Sequence, residues 1–211
     1  MKHIIFISSE GGNVGKTTTA LNYSNYLNNK NIPARPVSFA TPVKHYCNSL
    51  FSTLFPSSPK TFTEFFSDRS SKEDKISNYV DFGPVVLEEE ETFRSFINNV
   101  SDDFKSKYGK SVWANIALNT ILNSDESVLI FDDFRTTDEY NFVKENLPKK
   151  YYHTTTIKLM KDGDDVVTKS SYESLLKDFE HDIDFKFESD YSNLNKLFNL
   201  LDLSRLNNAS Q

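Results

Sequence analysis

Ile4-Ile5-Phe6-Ile7-Ser8-Ser9-Glu10-Gly11-Gly12-Asn13-Val14-Gly15-Lys16-Thr17-Thr18-Thr19-Ala20 is the stretch on which the fold turns. Ile4 to Ile7 is an unbroken apolar run, the pattern of a parallel strand buried on both faces. Ser8 to Gly15 is a loop of mostly small residues. From Lys16 to about Asn29 the spacing predicts a helix: Ala20, Tyr23 or Ser24, and Leu27 recur at helical intervals, and Asn28-Asn29-Lys30-Asn31 before Pro33 ends it. Strand, glycine loop and helix in that order let backbone N–H groups point at phosphate oxygens, and the helix N-terminus adds a field that favours anions. The matching pattern is G-x-x-x-x-G-K-[ST]. Gly15, Lys16 and Thr17 fit it. Its first glycine falls on Glu10, with Gly11 and Gly12 directly after, so the turn is expected one residue late. Phosphate contacts are expected from Gly11, Gly12, Asn13, Val14, Gly15, Lys16, Thr17 and Thr18. Lys16 would bridge the β- and γ-phosphates, and Thr17 would hold Mg²⁺. Glu10 repels phosphate unless it points away or acts on a metal through water.

Composition narrows the partners. The chain of 211 residues has the length of one α/β domain. Only 37% of residues are hydrophobic, but there are 18 Phe and 10 Tyr, so a core of few, large side chains is expected. The net charge of −6 argues against a general nucleic-acid coat. Cys47 is the single cysteine, which excludes an intrachain disulfide and a zinc site of several cysteines. Ile4 to Ile7 is too short for a signal-peptide core or a membrane span. The expectation is a soluble cytoplasmic protein with no nucleic-acid and no membrane partner.

Further along, Pro36 to Ala40, Ser127 to Phe131 and Thr155 to Met160 read as strands. Val43 to Leu54, Leu87 to Phe104, Ser111 to Leu122 and Leu194 to Leu203 read as helices. Pro56 to Ser71 reads as irregular, Glu88 to Glu91 as a solvated first helical turn, and Lys161 to Ser171 as a polar loop or lid. Strands alternating with helices predict a mostly parallel central sheet covered on both faces, a three-layer α/β phosphate-loop fold.

A second site lies in Val128-Leu129-Ile130-Phe131-Asp132-Asp133-Phe134-Arg135. A carboxylate at the C-terminal end of a buried strand is placed where such sheets bind ligands, and it can reach a metal on the phosphates. Asp133 is the candidate, acting through metal-bound water. The plainer reading is a strand-ending Asp that caps a turn. Arg is the planar fork suited to phosphate, and the chain has few: Arg35, Arg69, Arg94, Arg135 and Arg205.

Four segments in order resemble the phage-type deoxynucleoside monophosphate kinases, relatives of adenylate kinase. They are Ser9 to Thr19; Ala40-Thr41-Pro42-Val43-Lys44 (A-x-P-[LIV]-K); Gly109-Lys110-Ser111-Val112-Trp113 (G-x-x-[VI]-W); and Asp133 to Glu139 (D-x-R-x-x-x-E). Weaker matches fall at Lys161-Asp162-Gly163, Tyr172-Glu173-Ser174 and Ser192-Asn193-Leu194. The sequence departs from the family at Glu10, at Thr17, where those enzymes often have Asp, and at Lys161, where a lid Arg is usual. The usual histidine is also missing from Ser170 to Glu173.

The resemblance implies one adenylate-kinase-like domain over residues 1–211, with a helical acceptor-binding insertion over about 40–108 and a short lid over 161–175. It implies transfer of the γ-phosphoryl of ATP, with Mg²⁺, to a (deoxy)nucleoside 5′-monophosphate, as in deoxynucleotide metabolism in the cytoplasm of a phage-infected bacterium. A homodimer is compatible with it. Lys16, Asp133 and Arg135 would be catalytic. Lys44, Arg69, Arg94, Trp113 and Arg135 would bind the acceptor, and Lys161 and Lys169 would close over ATP. Two other readings stay open. A partition-type ATPase carries K-G-G-x-G-K-T-T, and a non-catalytic nucleotide-binding protein would tolerate Glu10.

Overall fold

Why Ile4 to Ile7 is apolar at every position follows from what lies on either side. In the computed structural model, β1 (Lys2–Ser9) is the middle strand of a five-stranded parallel sheet ordered β2-β3-β1-β4-β5. The other strands are β2 (Ala34–Val37), β3 (Val128–Phe131), β4 (Tyr152–Lys161) and β5 (Ile183–Phe187). The structure describes residues 1–9, 14–67, 71–80, 91–161, 176, 178–188 and 192–209. The helices are α1 (Lys16–Asn29), α2 (Thr41–Leu54), α3 (Phe62–Ser67), α4 (Phe93–Tyr108), α5 (Val112–Leu122), α6 (Thr137–Asn146) and α7 (Leu194–Ala209).

Strand alternation divides the core in two. Ile5 and Ile7 pack with Ala20, Tyr23 and Leu27 of α1 and Leu197, Phe198 and Leu201 of α7. Ile4 and Phe6 pack with Ala114, Leu118 and Ile121 of α5 and Tyr140 and Val143 of α6. Phe6 is ringed by Phe131, Tyr140 and Phe134 at centroid distances of 5.2, 5.3 and 5.9 Å. The expected three-layer α/β fold is therefore present, with both faces of the sheet covered. In chain order β1 is followed by β2 on one side of it and β4 by β5 on the other, a reversal of strand order of the kind at whose C-terminal edge open α/β sheets bind ligands.

The chain divides into two compact units, Met1–Phe39 with Ala114–Gln211, and Ala40–Trp113. The second is built on aromatic packing. Phe51, Phe62, Phe65 and Phe93 are fully buried, Phe65 and Phe93 stack at 4.6 Å, and Cys47 lies buried on α2.

Several elements differ from the sequence expectation. The second strand runs over Ala34–Val37, two residues earlier than expected. Strand β5 was not expected, yet Ile183-Asp184-Phe185-Lys186-Phe187 alternates as an edge strand should, with Phe185 and Phe187 inside and Asp184 and Lys186 outside. Helices α3, α4 and α6 share one start signal, a Thr three residues before a polar partner. Thr61 Oγ1 accepts from the Glu64 N–H at 3.3 Å, Thr92 Oγ1 from the Ser95 N–H at 3.0 Å, and Thr136 Oγ1 from the Glu139 N–H at 3.3 Å. The first of these puts a helix in the stretch expected to be irregular. The second moves the start of α4 from Leu87 to Phe93. Glu91 is accordingly no solvated first-turn residue: it is buried before the cap and accepts from Ser95 Oγ at 2.8 Å and Asn99 Nδ2 at 3.2 Å. Glu88 to Glu90 lie outside the described residues.

Candidate active site at the C-terminal edge of the sheet

Gly15 is the N-cap of α1 with φ +90° and ψ 23°, a left-handed conformation that a side chain would strain. Its carbonyl accepts the Thr19 N–H at 2.8 Å and starts the helix. Val14, just before it, is buried in the core shared with α1, which fixes the end of the loop. Among the described residues no side chain caps α1, and no acidic residue sits in its first turn. The helix field at this end is therefore left for an anion. Lys16 Nζ donates to Ser9 Oγ at 2.5 Å, which holds the ammonium over the end of β1. Thr17 and Thr18 are exposed. Glu10, Gly11, Gly12 and Asn13, the first half of the expected phosphate loop, lie outside the described residues.

The neighbouring strand brings the second carboxylate pair. Asp133, expected to act on a metal through water, is engaged by the end of β2: Oδ2 accepts from Ser38 Oγ at 2.5 Å and Oδ1 from the Phe39 N–H at 2.8 Å. These two bonds tie Asp133 to the end of β2. Asp132 is placed differently. Its N–H donates to Val37 C=O at 3.2 Å, so the strand ladder runs one residue past β3. Register pairs Ile5 with Ile130 and Phe6 with Phe131. Alternation then puts Asp132 on the face of Ile5, Ile7 and α1, the face of Lys16 and Thr17, and Asp133 on the other. Sequence alone carries no register, so it could not separate two adjacent aspartates. Arg135 is exposed, and nothing pairs with its guanidinium among the described residues.

The remaining expected residues belong to the second unit or fall outside the description. Lys44 is half-buried, with Nζ 5.7 Å from the Phe66 ring centroid. Arg94 is ion-paired to Glu73. Trp113, expected at the acceptor site, is 5% exposed; its Nε1–H points at the Ser101 carbonyl at 3.4 Å and its ring stacks on Phe104 at 5.2 Å. Packing of α4 against the start of α5 accounts for it. Arg69, the residues of the expected lid beyond Lys161, and the Lys161 side chain lie outside the described residues.

Among the described residues no three His, Cys, Asp or Glu side chains are grouped so as to hold a metal, and no helix is long and apolar enough to cross a membrane. No family model matches the sequence, and no curated protein matches it. Among solved structures the chain is similar to the Mycobacterium tuberculosis APS kinase CysC, at 8% identity and a TM-score of 0.44 over 97% of this chain and 98% of that one. It is also similar to cobyrinic acid a,c-diamide synthase of Mycobacterium smegmatis with an ATP analogue and magnesium, at 14% identity and a TM-score of 0.42 over 97% and 82%. Likeness at this level leaves the function to be argued from the site.

Proposed function

We propose that the chain transfers the γ-phosphoryl group of ATP to the 5′-phosphate of a (deoxy)nucleoside monophosphate. The observation that carries the reading is the composition of one sheet edge. A helix opened by left-handed Gly15, the Lys16 ammonium and an exposed Thr17 hydroxyl stand after the middle strand, and an exposed Arg135, unpaired among the described residues, stands after its neighbour. The four-segment resemblance supports the same reaction.

The acceptor phosphate is already anionic near neutral pH, so the protein's work is positioning and charge neutralisation rather than proton removal. The α1 N-terminus and Lys16 hold the donor phosphates. Arg135 grips the acceptor phosphate or the group in transit, with a fork that matches two oxygens at once. Lys44, Arg94 and Arg69 are proposed for the acceptor, Arg94 at the cost of its pairing with Glu73. Bound Mg²⁺ would neutralise phosphate charge and orient the γ-group. The donor set suits that ion, which is ordinarily held by one or two protein oxygens plus phosphates and waters. The Thr17 hydroxyl and Asp132 carboxylate would hold it, and we assign Asp133 to positioning.

The test is a panel of nucleoside monophosphates incubated with Mg-ATP and resolved by chromatography. ADP together with a nucleoside diphosphate is the expected product pair. ADP with inorganic phosphate, indifferent to the monophosphate, would make the chain an ATPase, and no turnover would make it a binding protein.

A further inference from the structure

We propose that His181 is a positioning residue for the Arg135 loop, locking that loop to the strand that leads into the phosphate site. This rests on the role given to Arg135 above. His181 stands in the stretch before β5, and its Nε2 lies 2.7 Å from Ser8 Oγ. Ser8 is the penultimate residue of β1 and 2% exposed. By alternation it shares the face of Ile4 and Phe6, while Ser9, which takes the Lys16 hydrogen bond, is on the opposite face. The same imidazole meets Phe179 edge-on at 4.9 Å and Phe134 at 6.2 Å. Phe134 is fully buried and directly precedes exposed Arg135. One ring therefore touches the end of the phosphate strand and the root of the arginine loop.

The segment behind it is tied to the sheet by hydrogen bonds. Asp182, the next residue, accepts from the Thr156 N–H at 2.7 Å and Thr156 Oγ1 at 2.9 Å, which ties the segment to β4. Asp133 clamps the other side of the loop to the end of β2. A phenylalanine at 181 could fill the same space. Ser8 does not require the histidine either, because its hydroxyl can donate to the Ile157 carbonyl at 3.3 Å. What the imidazole adds is a directional bond that fixes where the ring, and hence Phe134, sits. Burial pushes the His181 pKa below its ordinary value, against the pull of Asp184 and Asp182 and together with Lys158, so the ring is neutral near pH 7.

The experiment is a double-mutant cycle on phosphoryl transfer. His181→Phe keeps the ring and removes the bond to Ser8; it should lower kcat about tenfold, the scale of one net hydrogen bond, with KM for ATP unchanged. Arg135→Lys should cost much less in the His181→Phe background than in the wild type, because the fork is already misplaced. An acid limb of wild-type kcat from protonation of this ring, below the ordinary histidine range, should be missing in His181→Phe. His181→Gln, which can reach Ser8 with its amide, should recover part of the loss, and it carries the cycle if His181→Phe does not fold. Additive effects of the two substitutions, or an unchanged acid limb, would overturn the inference alone. A wild-type chain that transfers no phosphoryl group would overturn both it and the kinase reading.

Discussion

Asp202 on α7 joins that helix to α1, the helix that carries Lys16, and its removal gives a measurable account of how the site is held. Oδ1 accepts from the Tyr23 hydroxyl at 3.0 Å, Oδ2 from the Tyr26 hydroxyl at 2.8 Å, and Lys30 Nζ lies 3.1 Å from Oδ2. Hydrogen bonds to a charged acceptor contribute about 1.5–3 kcal/mol each, net. The carboxylate is 17% exposed, so the lower end applies, and two phenol bonds sum to about 3 kcal/mol. The exposed lysine contributes little to stability. For a chain of this size 1 kcal/mol moves Tm by about 2–4 °C, so Asp202→Ala should lower it by about 6–12 °C by calorimetry at pH 7. Tyr26→Phe should add almost nothing in that background. Burial pushes the Asp202 carboxyl up, but hydrogen bonds from Tyr26, Lys30 and Tyr23 outweigh it and hold the group below its ordinary 3.8. The folded state binds that proton more weakly than the unfolded chain, so the contribution is whole above about pH 4 and is lost as pH falls through the folded pKa. The gap between wild type and Asp202→Ala should therefore close in acid. A Tm change under about 2 °C, or a gap independent of pH down to about 3, would refute this reasoning.

Other outcomes are equally open to measurement. Lys16→Ala should lower turnover about 10²-fold or more without moving Tm, since the ammonium serves the phosphates and not the core; near-normal transfer would remove the phosphate-loop assignment. Asp132→Asn should raise the Mg²⁺ concentration needed for half-maximal rate, while Asp133→Asn should leave that value alone and lower Tm by about 2–8 °C, the equivalent of about 1–2 kcal/mol, having lost a charged acceptor for the Phe39 N–H. The reverse pattern would restore the metal role to Asp133. Cys47 is fully buried and its thiol pKa is pushed up to about 12 by that burial, so it should resist alkylation at pH 8 until the chain unfolds; fast labelling of the native protein would place it elsewhere.

What could be read from the sequence were the signals confined to neighbouring residues. Ile4 to Ile7 and Val128 to Phe131 are apolar at every position because each strand has helices on both faces, and an unbroken run says as much without any partner being known. Gly15, Lys16 and Thr17 are adjacent, so the phosphate motif and the helix it opens are visible together. Helices α3 and α6 were missed for a different reason. Each begins with a Thr whose capping role depends on a residue three further on, and neither helix is long enough for its apolar spacing to stand out on its own.

The choice between Asp132 and Asp133 needed the register of β3 against β1, a property of two strands more than a hundred residues apart in the chain. His181 needed more still, because its partner Ser8 is 173 residues away and neither belongs to a motif. Local pattern is enough to propose the phosphate end of the site, while the residues proposed to hold the arginine loop in place emerge only when the sheet is assembled. This division has a physical basis. Groups that touch phosphate act from one loop through its own backbone, whereas groups that aim a side chain from a second loop must be braced by whatever the fold packs beside them. The Arg135 loop is braced on one side by Asp133 against β2 and on the other by His181 against β1. Substitutions at either brace should therefore alter transfer more than nucleotide binding.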